Sequence, residues 1–254
     1  MSIAVSLASG PKGQFGTSVK PLHAGIAARN AVEAACLARA GMTGRLDILE
    51  RGQGFLDLFG GAEATGWDAL CLNETHIIET RGLVTKLHPC CASTHRIIDA
   101  ALDLQKEHGF SLDEVQRIET KVGRSAVDNL AYPDPADEMQ ARFSMPYCLA
   151  VALSQGRLSL ADFTLEAIFR PDIRRHMPKV TMCAYSAEKE RGVDRIAHQV
   201  TITLVDGRAL WRERLHARGS LADPIAEAER KSKFIDCLNW AGTADDGLCT
   251  ALSS

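Results

Sequence analysis

Residues 199–214 read QVTITLVDGRALWRER, and this stretch decides the fold class of the chain. Two segments of alternating character flank Asp206-Gly207, a dipeptide typical of the tight turn in a β-hairpin. Residues 117–122 (RIETKV) alternate in the same way and predict another strand. The sequence therefore predicts a small β-sheet in this part of the chain.

Helical signals accompany the predicted strands. The first predicted helix is capped by Ser93 and closed by Gly109, a residue that tolerates the left-handed backbone at a helix end. The helical and capping-box segments are residues 94–108, 111–114, 143–154 and 160–169. From Leu83 onward the sequence therefore predicts a unit of mixed α and β structure.

The first part of the chain has a different residue composition. An alanine-rich helix is predicted after Thr17 or Ser18 as the cap, with Pro21 in its first turn and its end near Gly41. Because this helix is almost entirely small and apolar, it needs neighbours on several sides, and residues 1–82 supply few. We therefore expect that further helices complete this part.

The end of the chain predicts one more helix. Asp223-Pro224 is a typical start signal, and apolar positions continue to about Leu238. We expect this helix to pack on the helical part of the protein.

Composition narrows the class of protein. The 254 residues are 46% hydrophobic and 24% charged, with a net charge of −3, which gives no whole-chain attraction to nucleic acid. No apolar run is long enough to span a membrane, and the N-terminus lacks a secretion signal, so we expect a cytoplasmic protein. The cysteines, among them the adjacent Cys90 and Cys91, are expected to be reduced thiols.

Lys20 and His23 straddle the start of the alanine-rich helix. Backbone N–H groups and the helix dipole favour an anion there, so the pair predicts a carboxylate or phosphate pocket. The alternative is a solvated lysine and a packed surface histidine, and spacing does not separate the two interpretations.

The stretch KLHPCCASTH, residues 86–95, concentrates polar side chains in one loop and helix start. Its pattern lacks the paired CxxC or the i, i+4 histidines of familiar zinc sites, so we predict no metal. A Cys-His nucleophile has no sign of thiol activation in the sequence, and a structural role for the loop is the other alternative.

Tyr147 follows Phe143 in the segment FSMPY at the start of a predicted helix. Its phenol is a candidate proton donor or acid for a pocket. The alternative is a buried, hydrogen-bonded tyrosine of the core.

Taken together and in order, these segments resemble the signature of the MmgE/PrpD family, whose members include 2-methylcitrate dehydratase, cis-aconitate decarboxylase and iminodisuccinate epimerase. The similarity covers nearly the whole chain. The segments that carry it are SLASG at 6–10, FGT at 15–17, KPLHAG at 20–25, KLHPCC at 86–91, FSMPY at 143–147 and KSKF at 231–234.

The resemblance implies an α+β fold, in which a partial all-helical domain is completed by a smaller α/β lid domain. It assigns residues 1–82 to the helical domain, 83–218 to the lid, and 219–254 to a C-terminal helix that returns to the helical domain. It also implies an active site without metal or organic cofactor.

The resemblance implies chemistry on small di- or tricarboxylates. Family enzymes remove a proton next to a carboxylate and then lose water or carbon dioxide, or return the proton on the other face. Fixed positive groups in the active site must stabilise the negative charge that develops on the substrate. By resemblance Lys20, Lys86, Cys91 and Ser93 bind substrate, although some relatives carry histidine at Cys91. His23, which lies in the family motif, and Tyr147 are the catalytic candidates.

Family members are considerably longer, and their usual acid and base come from an N-terminal half. The expectation is therefore a truncated enzyme with low activity alone, whose partner is a second copy or a complementing N-terminal half. The alternative is a non-catalytic remnant or partner subunit that retains the lid domain.

Overall fold

The computed structural model describes residues 1–60, 78–79, 82–191, 193 and 195–243. The chain divides into two compact units, Met1–His76 and Ile77–Ser254. Each unit is described by itself below.

The described part of the first unit is helical. It contains α1 (Ser2–Ser6), a 3-10 turn (Lys12–Gln14), α2 (Val19–Arg39) and α3 (Phe55–Phe59). Helix α2 is the predicted alanine-rich helix, and α1 packs against it.

The predicted caps of α2 are wrong. Ser18 makes no capping bond because its backbone is already helical, with φ −65° and ψ −18°, whereas a capping side chain needs an extended backbone. The Thr17 hydroxyl instead donates to the carbonyl of Gln14 at 2.9 Å.

The second unit is built on a four-stranded mixed sheet. Its strands are β1 (Val115–Val122), β2 (Val180–Ala184), β3 (His198–Leu204) and β4 (Ala209–Arg214), arranged in the order β2-β1-β3-β4. Strands β3 and β4 are the predicted hairpin, and Gly207 takes the positive φ of 90° that its turn requires. The predicted strand at 117–122 is also confirmed, as part of β1.

Strand β2 is not predicted from the sequence. Its five residues, VTMCA, show no clear alternation, and the strand pairs in parallel with β1, with Ile118 opposite Val180. Parallel pairing depends on a partner far away in the chain, so no local turn signal marks it.

Helices cover one side of this sheet. The longest, α4 (Ala92–His108), packs against β3, β4 and α7, and the core contains Ile97, Leu149 and Ile202. The other helices are α5 (Arg124–Asn129), α6 (Glu138–Ala141), α7 (Met145–Gln155), α8 (Leu165–Ile168), α9 (Pro171–Arg174), α10 (Ala187–Arg191) and α11 (Glu227–Ala241). Short 3-10 turns lie at Leu112–Glu114, Leu160–Phe163 and Met177–Lys179.

Several predicted helix ends are confirmed. Gly109 closes α4 in the left-handed conformation, with φ 66°. Ser111 and Glu114 form the predicted capping box. The helix predicted at 143–154 is α7, and its cap, which the sequence did not predict, is Ser144, whose hydroxyl accepts the Tyr147 N–H at 3.3 Å.

Three predicted helix boundaries are wrong. Cys91, rather than Ser93, stands before α4. The helix predicted at 160–169 is interrupted because Thr164 has an extended backbone and caps a new helix. The last helix begins at Glu227 rather than after Asp223, whose carboxylate instead accepts a bond from Arg214 at 2.5 Å.

The α+β fold class is confirmed by these helices and the mixed sheet. The domain boundaries drawn at 82 and 218 stay predictions. No helix in the described ranges is both long and apolar enough to cross a membrane.

Candidate functional site

Lys20 and His23 lie on one face of α2, because residues three apart on a helix are neighbours. Both are half-buried. The Lys20 ammonium stands 5.5 Å from the centre of the Phe15 ring, which orients it through a cation–π contact. The backbone of Gly10 lies against the His23 ring, where an added Cβ would stand 3.3 Å from it. The first unit thus presents an oriented lysine and histidine side by side.

Lys86 lies in the loop that leads to α4. Its side chain is exposed, and its ammonium donates to the carbonyl of Cys90 at 3.2 Å. Arg142 also holds this loop in place. Its guanidinium donates to the carbonyl of Pro89 at 2.8 Å, and its backbone carbonyl accepts the N–H of Cys91 at 2.8 Å. Lys86 is therefore held at the start of the helix.

Cys91 and Ser93 stand at the N-terminal end of α4, where the helix dipole is positive. The Ser93 hydroxyl oxygen accepts a bond from Asn129 at 3.2 Å, which leaves the hydroxyl hydrogen able to donate to a ligand. Together with Lys86, this helix end forms an environment that favours a carboxylate.

Tyr147 is completely buried on α7. Its hydroxyl donates to the carbonyl of Asp162, and its ring packs edge-on against Phe163 at 5.9 Å. Burial raises the pKa of Tyr147 to about 12, so the phenol keeps its proton at neutral pH. These contacts confirm the core environment that the sequence left as an alternative, and a catalytic role for Tyr147 stays a prediction.

The structure adds a buried pair that the sequence did not predict. His88 and Asp99 are joined at 3.0 Å between Nε2 and Oδ1, and the other carboxylate oxygen accepts the N–H of Arg218 at 2.9 Å. Burial opposes ionisation of Asp99, but the bonds from His88 and Arg218 outweigh it and hold the pKa of this carboxyl below its ordinary value. The sequence signal is an aspartate inside an apolar run of α4, IIDAA at 97–101.

A thiol cluster lies beside this pair. Cys90 contacts the Thr94 hydroxyl at 3.0 Å, and His95 packs edge-on against His88 with ring centres 5.1 Å apart. Burial raises the pKa of Cys148, whereas contacts with Cys148 and His95 overcome burial and lower the pKa of Cys90. Cys90 is 4% exposed, so this thiol has little access to a substrate.

The predicted site residues thus fall into two groups. Lys20 and His23 belong to the first unit, and Lys86, Cys91, Ser93 and Tyr147 belong to the second. Their substrate-binding and catalytic roles stay predictions. Within the described ranges no group of three or more His, Cys, Asp or Glu is arranged to hold a metal ion, and all cysteines there are free thiols.

Comparison with known families and proteins gives consistent matches. The MmgE/PrpD N-terminal domain matches residues 1–68 and the MmgE/PrpD C-terminal domain matches residues 88–250. The predicted change of domain near residue 82 falls between these two ranges.

Three cis-aconitate decarboxylases are similar to the chain. The protein of Mus musculus is 28% identical over 242 residues, which are 92% of this chain and 48% of the relative. The protein of Homo sapiens is 26% identical over 239 residues, which are 92% of this chain and 49% of the relative. The protein of Aspergillus terreus is 25% identical over 214 residues, which are 78% of this chain and 43% of the relative. The chain therefore spans about half the length of the curated relatives it matches.

Proposed function

This chain belongs to the MmgE/PrpD family, and we propose that it supplies the carboxylate-binding part of a lyase active site for small di- or tricarboxylates. The observation that carries the proposal is Lys86, whose ammonium donates to the carbonyl of Cys90, directly before the N-terminal end of α4 that carries Cys91 and Ser93. A cation, a hydroxyl donor and a helix N-terminus are the groups that bind a carboxylate in proteins.

The chemistry explains why such a site is needed. Removing a proton, or carbon dioxide, next to a carboxylate leaves an electron pair on carbon, and this charge is very unfavourable without fixed positive groups to meet it. We propose that Lys86 binds one carboxylate of the substrate in the second unit, and that Lys20 is a carboxylate-binding residue of the first unit. A carboxylate held by a fixed cation keeps the substrate in one orientation while a bond breaks.

We assign different proton-transfer roles to the two catalytic candidates. His23 is half-buried, and imidazole is the side chain that most often transfers protons in enzymes, so it suits a general acid or base. Tyr147 retains its proton, because burial raises its pKa to about 12, so it does not suit a base. Its hydroxyl already donates to the carbonyl of Asp162, so a donor role requires that it release this bond.

We propose cis-aconitate as the first substrate to test, because the similar proteins are named for its decarboxylation. In that reaction a carbon–carbon bond breaks, carbon dioxide leaves, and the electron pair that remains on carbon takes a proton. 2-Methylcitrate, which would lose water, and iminodisuccinate, which would be epimerised, are the alternative substrates that the family suggests.

Proton NMR of the purified chain with each of these three substrates tests the proposed reaction. We expect one substrate to give its product above the protein-free blank, and we expect Lys86→Met to abolish product formation. Lys106→Met is the matched control, since Lys106 is an exposed lysine at the opposite end of α4. Product formation that is equal in both variants would contradict the role of Lys86.

We further propose that the chain alone turns over slowly, because it spans about half the length of its relatives. A rate well below about 1 s⁻¹, the lower end of the usual range for enzymes, is the expected result. Turnover within the usual range would contradict this proposal while leaving the proposed reaction intact.

A second candidate function is a partner subunit without catalysis of its own. It is favoured by apolar side chains on α2 that remain exposed, such as Leu22 at 54% and Val32 at 66%. Analytical ultracentrifugation tests it. A concentration-dependent dimer that Val32→Asp weakens, without product formation from any of the three substrates, would support the partner subunit, and a monomer at all concentrations would contradict it.

A further inference from the structure

A cavity of about 610 Å³ lies within the second unit, between the loops at 87–89 and 156–161 and helix α11. This volume is in the range of pockets that hold small organic ligands. None of Lys86, Cys91, Ser93 or Tyr147 lines it. A ligand in this pocket, called here the α11 pocket, would therefore leave the predicted substrate-binding residues of this unit unoccupied.

The walls of the α11 pocket are mostly apolar. Leu87, Leu102, Leu158, Leu160 and Trp240 contribute side chains to it. Trp240 is 52% exposed, so a large part of its indole is available to contact a ligand. Apolar walls of this kind bind a hydrocarbon chain or ring by removing its surface from water.

The charged side chains of the α11 pocket leave one positive charge unmatched. Arg218 pairs with Glu229 at 2.5 Å, and Arg157 stands 3.8 Å from Asp236. The remaining charged residue that lines the pocket is Lys233, which is half-buried and has no hydrogen bond or ion pair with any residue that the structure describes. A half-buried ammonium without a partner is stabilised by a bound anion.

We infer that the α11 pocket binds an amphipathic monocarboxylate, with its carboxylate on Lys233 and its apolar body against Trp240 and Leu158. One unmatched cation suits a ligand with one negative charge. A phosphate monoester carries nearly two negative charges at neutral pH, and a tricarboxylate carries three charges and has no apolar body, so both fit this pocket poorly.

The location of the pocket gives its ligand a structural effect. Lys233 lies on α11, whereas Leu158 lies in the 156–161 loop. A ligand that contacts both residues holds α11 to the rest of the second unit. The unit with ligand bound should therefore unfold at a higher temperature than the unit without it.

Isothermal titration calorimetry of the full 254-residue chain with octanoate tests the inference. We expect one octanoate to bind per chain, and we expect Lys233→Met to weaken binding roughly tenfold or more, as loss of one charge-assisted hydrogen bond requires. Lys231→Met is the matched control, because Lys231 is exposed on the same helix and does not line the pocket. It should bind octanoate like the wild type.

Two further ligands make the test specific. 1-Octanol, which has the same apolar body without the charge, should bind equally to the wild type and to Lys233→Met. Citrate at equal concentration should not displace octanoate. The inference is overturned if the folded wild type shows no saturable octanoate binding, if both lysine variants bind octanoate alike, or if citrate displaces it.

Discussion

The two units of the chain differ in how much apolar surface they bury. In the first unit, Ala34 is the one hydrophobic side chain that is buried among the described residues 1–60, and Val32 on the same helix is 66% exposed. In the second unit, a continuous core joins the sheet to α4 and α7. Most of the apolar burial that stabilises the described residues therefore lies in the second unit, while apolar side chains of α2 such as Val32 are exposed.

The largest expected effect comes from truncating one aliphatic side chain to alanine in each unit. Ile202→Ala removes a fully buried side chain from β3 and should lower the free energy of unfolding by about 3 kcal/mol. Val32→Ala should change it by less than about 0.5 kcal/mol, because the valine is mainly exposed and alanine favours helix. Urea denaturation followed by circular dichroism measures both values. Equal losses in the two variants would contradict the comparison.

A smaller, pH-dependent effect on folding stability is expected from His198 in the second unit. Arg96 donates to His198 Nε2 at 2.5 Å, and the Gly123 N–H donates to the same nitrogen at 3.3 Å. Burial, with a further contribution from Arg96, lowers the pKa of His198 to about 3.

The sign of this dependence follows from the two pKa values. Between the unfolded pKa of about 6.5 and the folded pKa, the unfolded chain binds a proton that the folded chain does not, so stability falls as pH falls. From pH 6.5 to 5 the loss from this residue should be about 2 kcal/mol. His198→Gln keeps an acceptor for Arg96 without titrating, and its stability should fall less over the same interval in urea denaturation. An unchanged pH slope would contradict the assignment.

The smallest expected effect compares two serines before helices. Ser144→Ala removes the hydroxyl that accepts the Tyr147 N–H, and should cost about 1 kcal/mol. Ser18→Ala in the first unit should cost close to nothing, since Ser18 makes no capping bond. Thermal unfolding of the two variants measures both losses of stability. A larger loss for Ser18→Ala would show that the cap of α2 was misassigned.

Local patterns explain which elements the sequence could predict. The hairpin around Gly207 and the end of α4 at Gly109 depend on residues next to each other, and both are confirmed. Strand β2 depends on a parallel partner more than 50 residues away, and no local pattern marks it. Thr164 interrupts a predicted helix. Its backbone is extended and its side chain caps a new helix, although the spacing of apolar residues predicted one continuous helix.

The candidate site was predictable to a different extent. The order of the motifs predicted the family, and the domain matches confirm that prediction. The same motifs singled out the loop that carries Lys86 as part of the candidate site. The bond between His88 and Asp99 was not predictable, because it needs the loop to fold back on the buried side of α4. The hydroxyl of Tyr147 likewise bonds a carbonyl fifteen positions along the chain, a contact that its own motif does not specify.

The most direct test of the proposed carboxylate site is a thermal-shift titration with cis-aconitate. It compares the wild type with Lys86→Ala and with a control, Lys106→Ala, that removes an exposed lysine at the opposite end of α4. We predict that cis-aconitate raises the melting temperature of the wild type and of the control, and that Lys86→Ala loses most of this stabilisation. A folded wild type that is not stabilised, or a Lys86→Ala variant that is stabilised as much as the control, would contradict the proposed carboxylate site.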